Sequence, residues 1–217
     1  MNYTFLKISP LFKGYTEGQI KEVVEYLGCR TVKYKKGSFI YHAGSKVTEM
    51  GLVLKGSVQM EAVDLLGNRS ILGIAMFGDI FAESYACIPE QPLMVDVAAR
   101  EAVEVLFINI QKLISDKNKK INTQGLVQNI LQIAARKNLG LSMRIFHSSP
   151  KKIRDRLISY FSAQVRLEGD TEIEIPLDRQ QLADYLGVDR TALSKELGKM
   201  KKDGLIDYRK NHFSLYL

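Results

Sequence analysis

The residues best suited to chemistry lie in the stretch 178–200. Asp178 and Asp189 are both of the type that caps a helix, because a short carboxylate accepts an orphan amide of the first turn. Gly187, between them, permits the left-handed backbone of a tight turn. Leu182, Ala183 and Leu186 share one face of the first expected helix, and Leu193, Leu197 and Met200 share one face of the second. The opposite face of the second helix is left with Thr191, Ser194, Lys195 and Gly198, with Arg190 at its edge. Such groups can read base edges in a major groove: arginine or lysine bonds the N7 and O6 acceptors of guanine, and serine or threonine serves any base. Arg179 and Gln180 open the first helix and suit phosphate contacts. Residues 205–208 and 212–217 then read as a hairpin with Lys210 and Asn211 at its tip, a wing able to track the DNA backbone. An ordinary helical pair in a core explains the leucines and Gly187. It does not explain a polar, basic face behind a cap, followed by a basic wing.

The other reactive side chains are few. The three histidines, His42, His147 and His212, are far apart in sequence, and Cys29 and Cys87 form no C-x-x-C pair. A barrel metalloenzyme needs several histidines and carboxylates converging on one metal, and an iron–sulfur cluster needs four ligands. Metal, haem and enzymatic chemistry are therefore not expected. Both cysteines are expected to be packed and, in a reducing compartment, free of disulfide.

The 217 residues suggest two domains of roughly 100 each. Apolar residues make up 46%, a globular proportion, and no apolar run approaches the roughly 20 residues of a membrane span. Residues 1–10 lack the pattern of a secretion signal, so a cytoplasmic location is expected. The net charge of +7 favours a polyanionic partner. Basic residues crowd the stretch 190–210, where Arg190, Lys195, Lys199, Lys201, Lys202, Arg209 and Lys210 face only Glu196, Asp203 and Asp207. Lys117, Lys119 and Lys120 read as a solvated helix start.

The elements that must carry these residues follow from periodicity. Ile20, Val23, Val24 and Leu27 predict a helix over 19–27. Residues 31–108 alternate apolar and polar in short runs broken by Gly37, Gly44, Gly51, Gly56, Gly67, Gly73 and Gly78. Leu66-Gly67-Asn68 reads as a hairpin turn, and the whole segment as a sandwich or barrel. From about 110 to 147 the pattern is helical and free of proline. There Val127, Leu131, Ala134, Asn138, Leu141 and Ile145 form a heptad seam for a partner helix, beside a second stripe of Leu126, Ile130 and Ile133. Ser148-Ser149-Pro150 should end this helix, cap the next and form the domain hinge. A helix over 153–166 and a strand over 172–175 complete the chain.

With these parts in place the chain resembles the cyclic-AMP receptor protein and fumarate–nitrate regulator (CRP/FNR) superfamily of transcription regulators over nearly its whole length. The resemblance rests on Lys36-Gly37-Ser38, His42-Ala43-Gly44, Lys55-Gly56-Ser57-Val58, the run Gly78-Asp79-Ile80-Phe81-Ala82-Glu83, and Leu182-Ala183 with Leu186-Gly187 through Lys195. It implies an α+β chain: an N-terminal β-roll with a long dimerisation helix over 1–147, then a winged helix-turn-helix over 148–217. It also implies double-stranded DNA, a second copy and, for an activator, RNA polymerase as partners. A cyclic-nucleotide module without regulatory output would not need the winged helix-turn-helix.

The chain departs from the nucleotide-binding members at one place. Those members hold the cyclic phosphate with Arg-Ser; the matching residues here are Leu93-Met94, and no basic residue occurs from 79 to 99. A buried phosphate without a paired cation is costly. The expected effector is therefore not cyclic AMP, and the pocket should be more apolar, with Glu83 and Ser84 as polar handles. Asn138 falls where the family's long helix reaches the effector, although a polar seam residue also sets register. No cofactor is expected.

Overall fold

A computed structural model describes residues 3–64, 66, 69–115 and 121–216. They form two compact units, 1–136 and 137–217. The division falls inside a helix, earlier than the hinge expected at 147/148.

The first unit opens with α1 (Tyr3–Ile8), a 3-10 turn (Pro10–Phe12) and α2 (Glu17–Leu27). Thr16 and Gln19 close a reciprocal capping box at the start of α2. Eight strands follow: β1 (Arg30–Tyr34), β2 (Phe39–Tyr41), β3 (Glu49–Lys55), β4 (Val58–Val63), β5 (Arg69–Ala75), β6 (Ile80–Phe81), β7 (Asp96–Ala99) and β8 (Val103–Asn109). They pair antiparallel in two sheets, β1-β8-β3-β6 and β2-β7-β4-β5. A short helix, α3 (Glu83–Cys87), follows β6.

Alternation along β3 and β8 explains how the roll carries its helices. Val53, Val105 and Phe107 face the roll interior with Val58, Val97 and Ala99. Met50, Leu52, Leu106 and Ile108 face the other way, against Leu6, Phe12, Ile20 and Val24 of the N-terminal helices. Both faces are buried, so these strands need apolar residues at successive positions.

Two of the glycines expected in turns, Gly51 and Gly73, lie inside strands. A Cβ on Gly51 would come within 2.1 Å of Phe81 Cζ, so the glycine makes room for a buried ring. Of the expected Leu66-Gly67-Asn68 turn, Gly67 and Asn68 lie outside the described residues, as do Lys117, Lys119 and Lys120.

The helix expected from 110 is not continuous. Asn109 caps a single five-residue helix, α4 (Ile110–Ile114), and the long helix α5 runs Thr123–Ser148. Asn122 starts it, accepting the Gly125 amide at 3.1 Å. Leu126 and Ile130 pack into the first unit's core, with Ile133 at its margin. Asn129 on the same side donates to the carbonyls of Leu11 and Lys13.

Ser148 and Ser149 do not cap the next helix. Their hydroxyls turn back to the Ile145 carbonyl, at 3.2 and 2.6 Å, and close α5. The N-cap of α6 (Ile153–Glu168) is Lys152, with no side-chain cap bond. Beyond it come β9 (Glu172–Glu174), α7 (Arg179–Leu186), α8 (Arg190–Lys202), β10 (Ile206–Arg209) and β11 (His212–Leu215). Strands β10-β11-β9 form one sheet. The second core joins Leu157 and Phe161 of α6 to Leu182, Leu186, Leu193 and Phe213.

Candidate nucleic-acid interface and effector cavity

The helix-turn-helix is built from its caps outward. The Asp178 carboxylate accepts the Gln181 amide at 2.8 Å, and Gln181 Oε1 accepts the Asp178 amide at 2.8 Å. Gly187 adopts φ 65°, ψ 45°, and the Val188 amide bonds the Ala183 carbonyl at 3.0 Å, so the chain leaves α7 through a left-handed turn. Asp189 accepts the Ala192 amide at 2.8 Å and opens α8. Leu193, Leu197 and Met200 are fully buried, which fixes the rotation of α8. Arg190, Thr191, Ser194 and Lys195 are consequently exposed together on its outer side, and Gly198 is half-buried.

Three arginines that the sequence reading passed over hold this arrangement. Arg144, in the last turns of α5, donates to the Asp184 and Tyr185 carbonyls at 2.8 and 3.2 Å. Arg156 of α6 donates to the next two, Leu186 at 2.8 Å and Gly187 at 3.2 Å, and to Pro150 at 2.6 Å. Residues 184–187 lie at the C-terminal end of α7, where carbonyls run out of helical partners; among the described residues, only Asp184 of these also accepts a main-chain amide, that of Gly187 at 3.4 Å. Arg154 bridges α6 to Glu196 of α8 and to Asp203, its C-cap, at 2.6 and 2.7 Å. Nothing in the sequence marks an arginine for such a role, because each partner is a main-chain or distant group.

The wing is the β10–β11 hairpin, with Lys210 in a left-handed conformation at φ 56°. Lys201 pairs with Asp207 at its base, raising the ammonium's pKa and lowering the carboxyl's through their hydrogen bond. Gln180 is exposed and donates to Asp184 at 2.8 Å. Arg179, expected to reach for phosphate, lies against the wing. Its guanidinium sits 5.1 Å from the Tyr208 ring centre and 5.5 Å from that of Phe213, and donates to the Lys210 carbonyl at 3.3 Å. Desolvation there lowers its pKa.

Inside the roll is a cavity of about 210 Å³. Leu93 lines it beside Val95 and Val97; Met60 and Leu72 come from the β4–β5 pair. Leu93 is pinned by main-chain bonds to residues 44 and 45. Among the lining residues Tyr85 alone has a polar side-chain atom, and none is basic. Met94, expected in the pocket, is 71% exposed and not part of the lining. Two main-chain bonds at Leu93 face it inward, and the next side chain along the extended segment points away. Glu83 is buried and Ser84 exposed, and neither lines the cavity. Asn138 belongs to the second unit, where it accepts the Ser142 hydroxyl at 3.2 Å. Of the cavity residues only Leu93 is expected there from the sequence; Gly73 is expected in a turn and Ala82 only as part of the run Gly78–Glu83. Gly73, interrupting a strand, was the available signal.

The seam residues Val127, Leu131, Leu141 and Ile145 are exposed on α5, the last three by 68%, 62% and 65%; Asn138 is exposed and Ala134 half-buried. Cys29 is half-buried, its thiol pushed up to about 12 by burial. Cys87, expected in the core, is exposed at the end of α3. Among the described residues no cluster of three histidines, cysteines or carboxylates could hold a metal, and no helix is long and apolar enough to cross a membrane.

Known proteins match the same two parts. Residues 31–115 match the cyclic nucleotide-binding domain and residues 155–215 the Crp-like helix-turn-helix domain. The chain is 25% identical to the anaerobic regulatory protein of Bacillus subtilis (strain 168), over 93% of this chain and 85% of that one. It is 21% identical to electron transport regulator A of Shewanella oneidensis, over 88% and 75%. In fold it is similar to the catabolite activator protein of Thermus thermophilus, with a TM-score of 0.53 at 19% identity, covering 95% and 93% of the two chains. It is also similar to CprK solved in complex with OCPA, with a TM-score of 0.64 at 16% identity, covering 92% and 91%. A roll bearing an effector domain, a long helix and a capped, polar-faced helix-turn-helix place this chain in the Crp/Fnr family of DNA-binding transcription regulators, a family of regulators and not of enzymes.

Proposed function

We propose that two copies of the chain pair along the seam of α5 and read a two-fold symmetric operator, each placing α8 in a major groove. Arg190, Thr191, Ser194 and Lys195 contact base edges, Gln180 contacts phosphate, and the wing tip follows the backbone. The observation that carries this reading is the outer side of α8: an inner face of fully buried Leu193, Leu197 and Met200 leaves the small, polar and cationic side chains nowhere but outward. Water-exposed Leu131, Leu141 and Ile145 on one helix support pairing with a second copy. Occupancy is controlled by a small molecule other than cyclic AMP, since the cavity of the roll offers no cation to a phosphate. Where the dimer activates, RNA polymerase is the partner it engages.

The test is selection of bound duplexes from a random pool by the purified protein. The expected product is an inverted repeat with half-sites about one helical turn, roughly 34 Å, apart. Bound sequences without any inverted repeat would overturn the two-fold arrangement.

A further inference from the structure

Three departures from regular backbone meet at the cavity of the roll. In the β4–β5 pair, Met60 lies opposite Gly73 but Glu61 lies opposite Ile71. Leu72 is therefore an extra, unpaired residue, a bulge that re-aims its side chain. Gly73 beside it leaves space that any other residue would occupy: a Cβ there would meet only the Met60 methyl, at 3.0 Å. Across the cavity Ala82 is held at φ 59°, a left-handed conformation that a residue with a Cβ adopts at an energetic cost. Leu72, Gly73 and Ala82 all line the cavity. Regular β-structure with a side chain at position 73 would close this space. Strain and bulges persist where the surrounding structure holds them, and they gather where ligands bind.

The chemistry of the walls narrows the guest. Met60, Leu72, Leu93, Val95 and Val97 present only methyl, methylene and thioether groups, and the Tyr85 hydroxyl is the single polar side-chain group. An anion would lose its hydration and find no cation among the lining side chains, only the one hydroxyl. An enclosed apolar cavity of roughly 150 Å³ accepts a guest of benzene size, so this pocket of about 210 Å³, open on one side, has room for a single substituted ring or a short branched chain. Leu72 stands at the rim, 61% exposed, on an edge strand whose neighbours Ile71 and Ile74 are also exposed.

We propose that the cavity binds a small uncharged, mainly apolar molecule of about one ring, seated between the Leu72 bulge and Ala82 with at most one hydroxyl or carbonyl turned to Tyr85. This rests on the reading of the chain as an effector-controlled regulator and names the chemical class of the effector.

The full-length protein is titrated with toluene, phenol and indole, and separately with cyclic AMP and cyclic GMP. Binding is followed by saturation-transfer NMR and by thermal unfolding. At least one ring probe is expected to receive saturation and to raise the unfolding temperature by a few degrees, as preferential binding to the folded state requires. Val97→Phe and Gly73→Val, which fill the space from two sides, should remove that shift while each remains folded on its own. Two variants are used so that a folding failure in one leaves the other to decide. Ring probes that bind equally well to a folded, filled variant occupy another place and overturn the proposal. So does tight binding of a cyclic nucleotide that filling abolishes, and so does failure of all three ring probes. DNA binding by the same preparation is scored independently, so loss of the ligand result leaves the operator reading standing, and the reverse.

Discussion

Lys195 and Arg179 carry the same charge and were both expected at DNA, yet their surroundings separate them. Lys195 is free on the outer side of α8, whereas Arg179 is stacked on Tyr208 and Phe213 and bonded to the wing tip. Lys195→Ala should weaken binding to the selected operator by about 1–3 kcal/mol and relax base preference. Arg179→Ala should instead lower the unfolding free energy by about 1 kcal/mol, the scale of a partly exposed cation–π contact, and weaken all DNA sequences alike. Competition binding with operator and random duplex, beside urea unfolding, separates the two. Equal losses on both duplexes for Lys195→Ala would make it a backbone contact.

His147 is the other residue whose setting matters. It is buried, with Nδ1 2.9 Å from Ser159 Oγ and its ring among Phe146, Tyr160 and Tyr185 at 5.5–6.1 Å. Desolvation, helped by Arg166, lowers its pKa. The unfolded chain takes up the proton first, so this contribution is whole above about pH 6.5 and is lost as pH falls through and below it. Urea midpoints should drop between about pH 7.5 and about pH 5.5, and His147→Gln should flatten the drop attributable to this site. An unchanged slope in the variant would remove His147 as the cause.

At the scale of elements, the C-terminus of α7 is completed by side chains from two other helices. Arg144 and Arg156 donate to four successive carbonyls, 184 to 187, of which, among the described residues, only Asp184 also accepts a main-chain amide. Helix α8 follows the turn these carbonyls belong to, so its direction depends on α5 and α6. Arg156 is the more enclosed and also bonds Pro150, so Arg156→Ala should cost about 2–3 kcal/mol, the range for charged donors, and the exposed Arg144→Ala about 1 kcal/mol, the scale of an ordinary hydrogen bond. Lysine at either place should restore little, because its compact, strongly hydrated ammonium lacks the planar spread of donors that spans these carbonyls. Denaturant unfolding gives the order; Arg144→Ala as the more damaging change would reverse the assignment of the anchor.

For the whole molecule the question is which stripe of α5 serves which purpose. Leu126 is fully buried against the first unit's core, whereas Leu131 and Leu141 face water. Replacing Leu131 and Leu141 together with aspartate should give folded monomers, because the charges stay hydrated in the single chain and are buried only on pairing. Leu126→Asp should unfold the roll instead. Sedimentation with circular dichroism distinguishes these outcomes, and an intact dimer in the double variant would refute the seam.

The amino-acid order by itself determined the elements whose causes are local. Asp178, Gly187 and Asp189 set the ends of α7 and α8 through bonds spanning three or four residues. The apolar spacing of Leu193, Leu197 and Met200 decided which side of α8 faces outward. The heptad spacing in α5 likewise separated the buried stripe from the exposed one, because 3.6 residues per turn is a property of the helix alone. What the tertiary structure decided depends on groups far apart in the chain. The start of the long helix at Thr123 and not at 110 is not among these: it follows from the local caps Asn109 and Asn122, each starting a helix of its own, which apolar periodicity alone does not record. Gly51 and Gly73 lie in strands because Phe81 and the cavity need the space of a missing side chain. Arg179 rests on the wing because Tyr208 and Phe213, on strands about 30 residues later in the chain, offer aromatic faces that compete with solvent for its guanidinium. Periodicity records which face of an element is apolar; it carries no record of what that face, or an arginine at its edge, will meet across the fold.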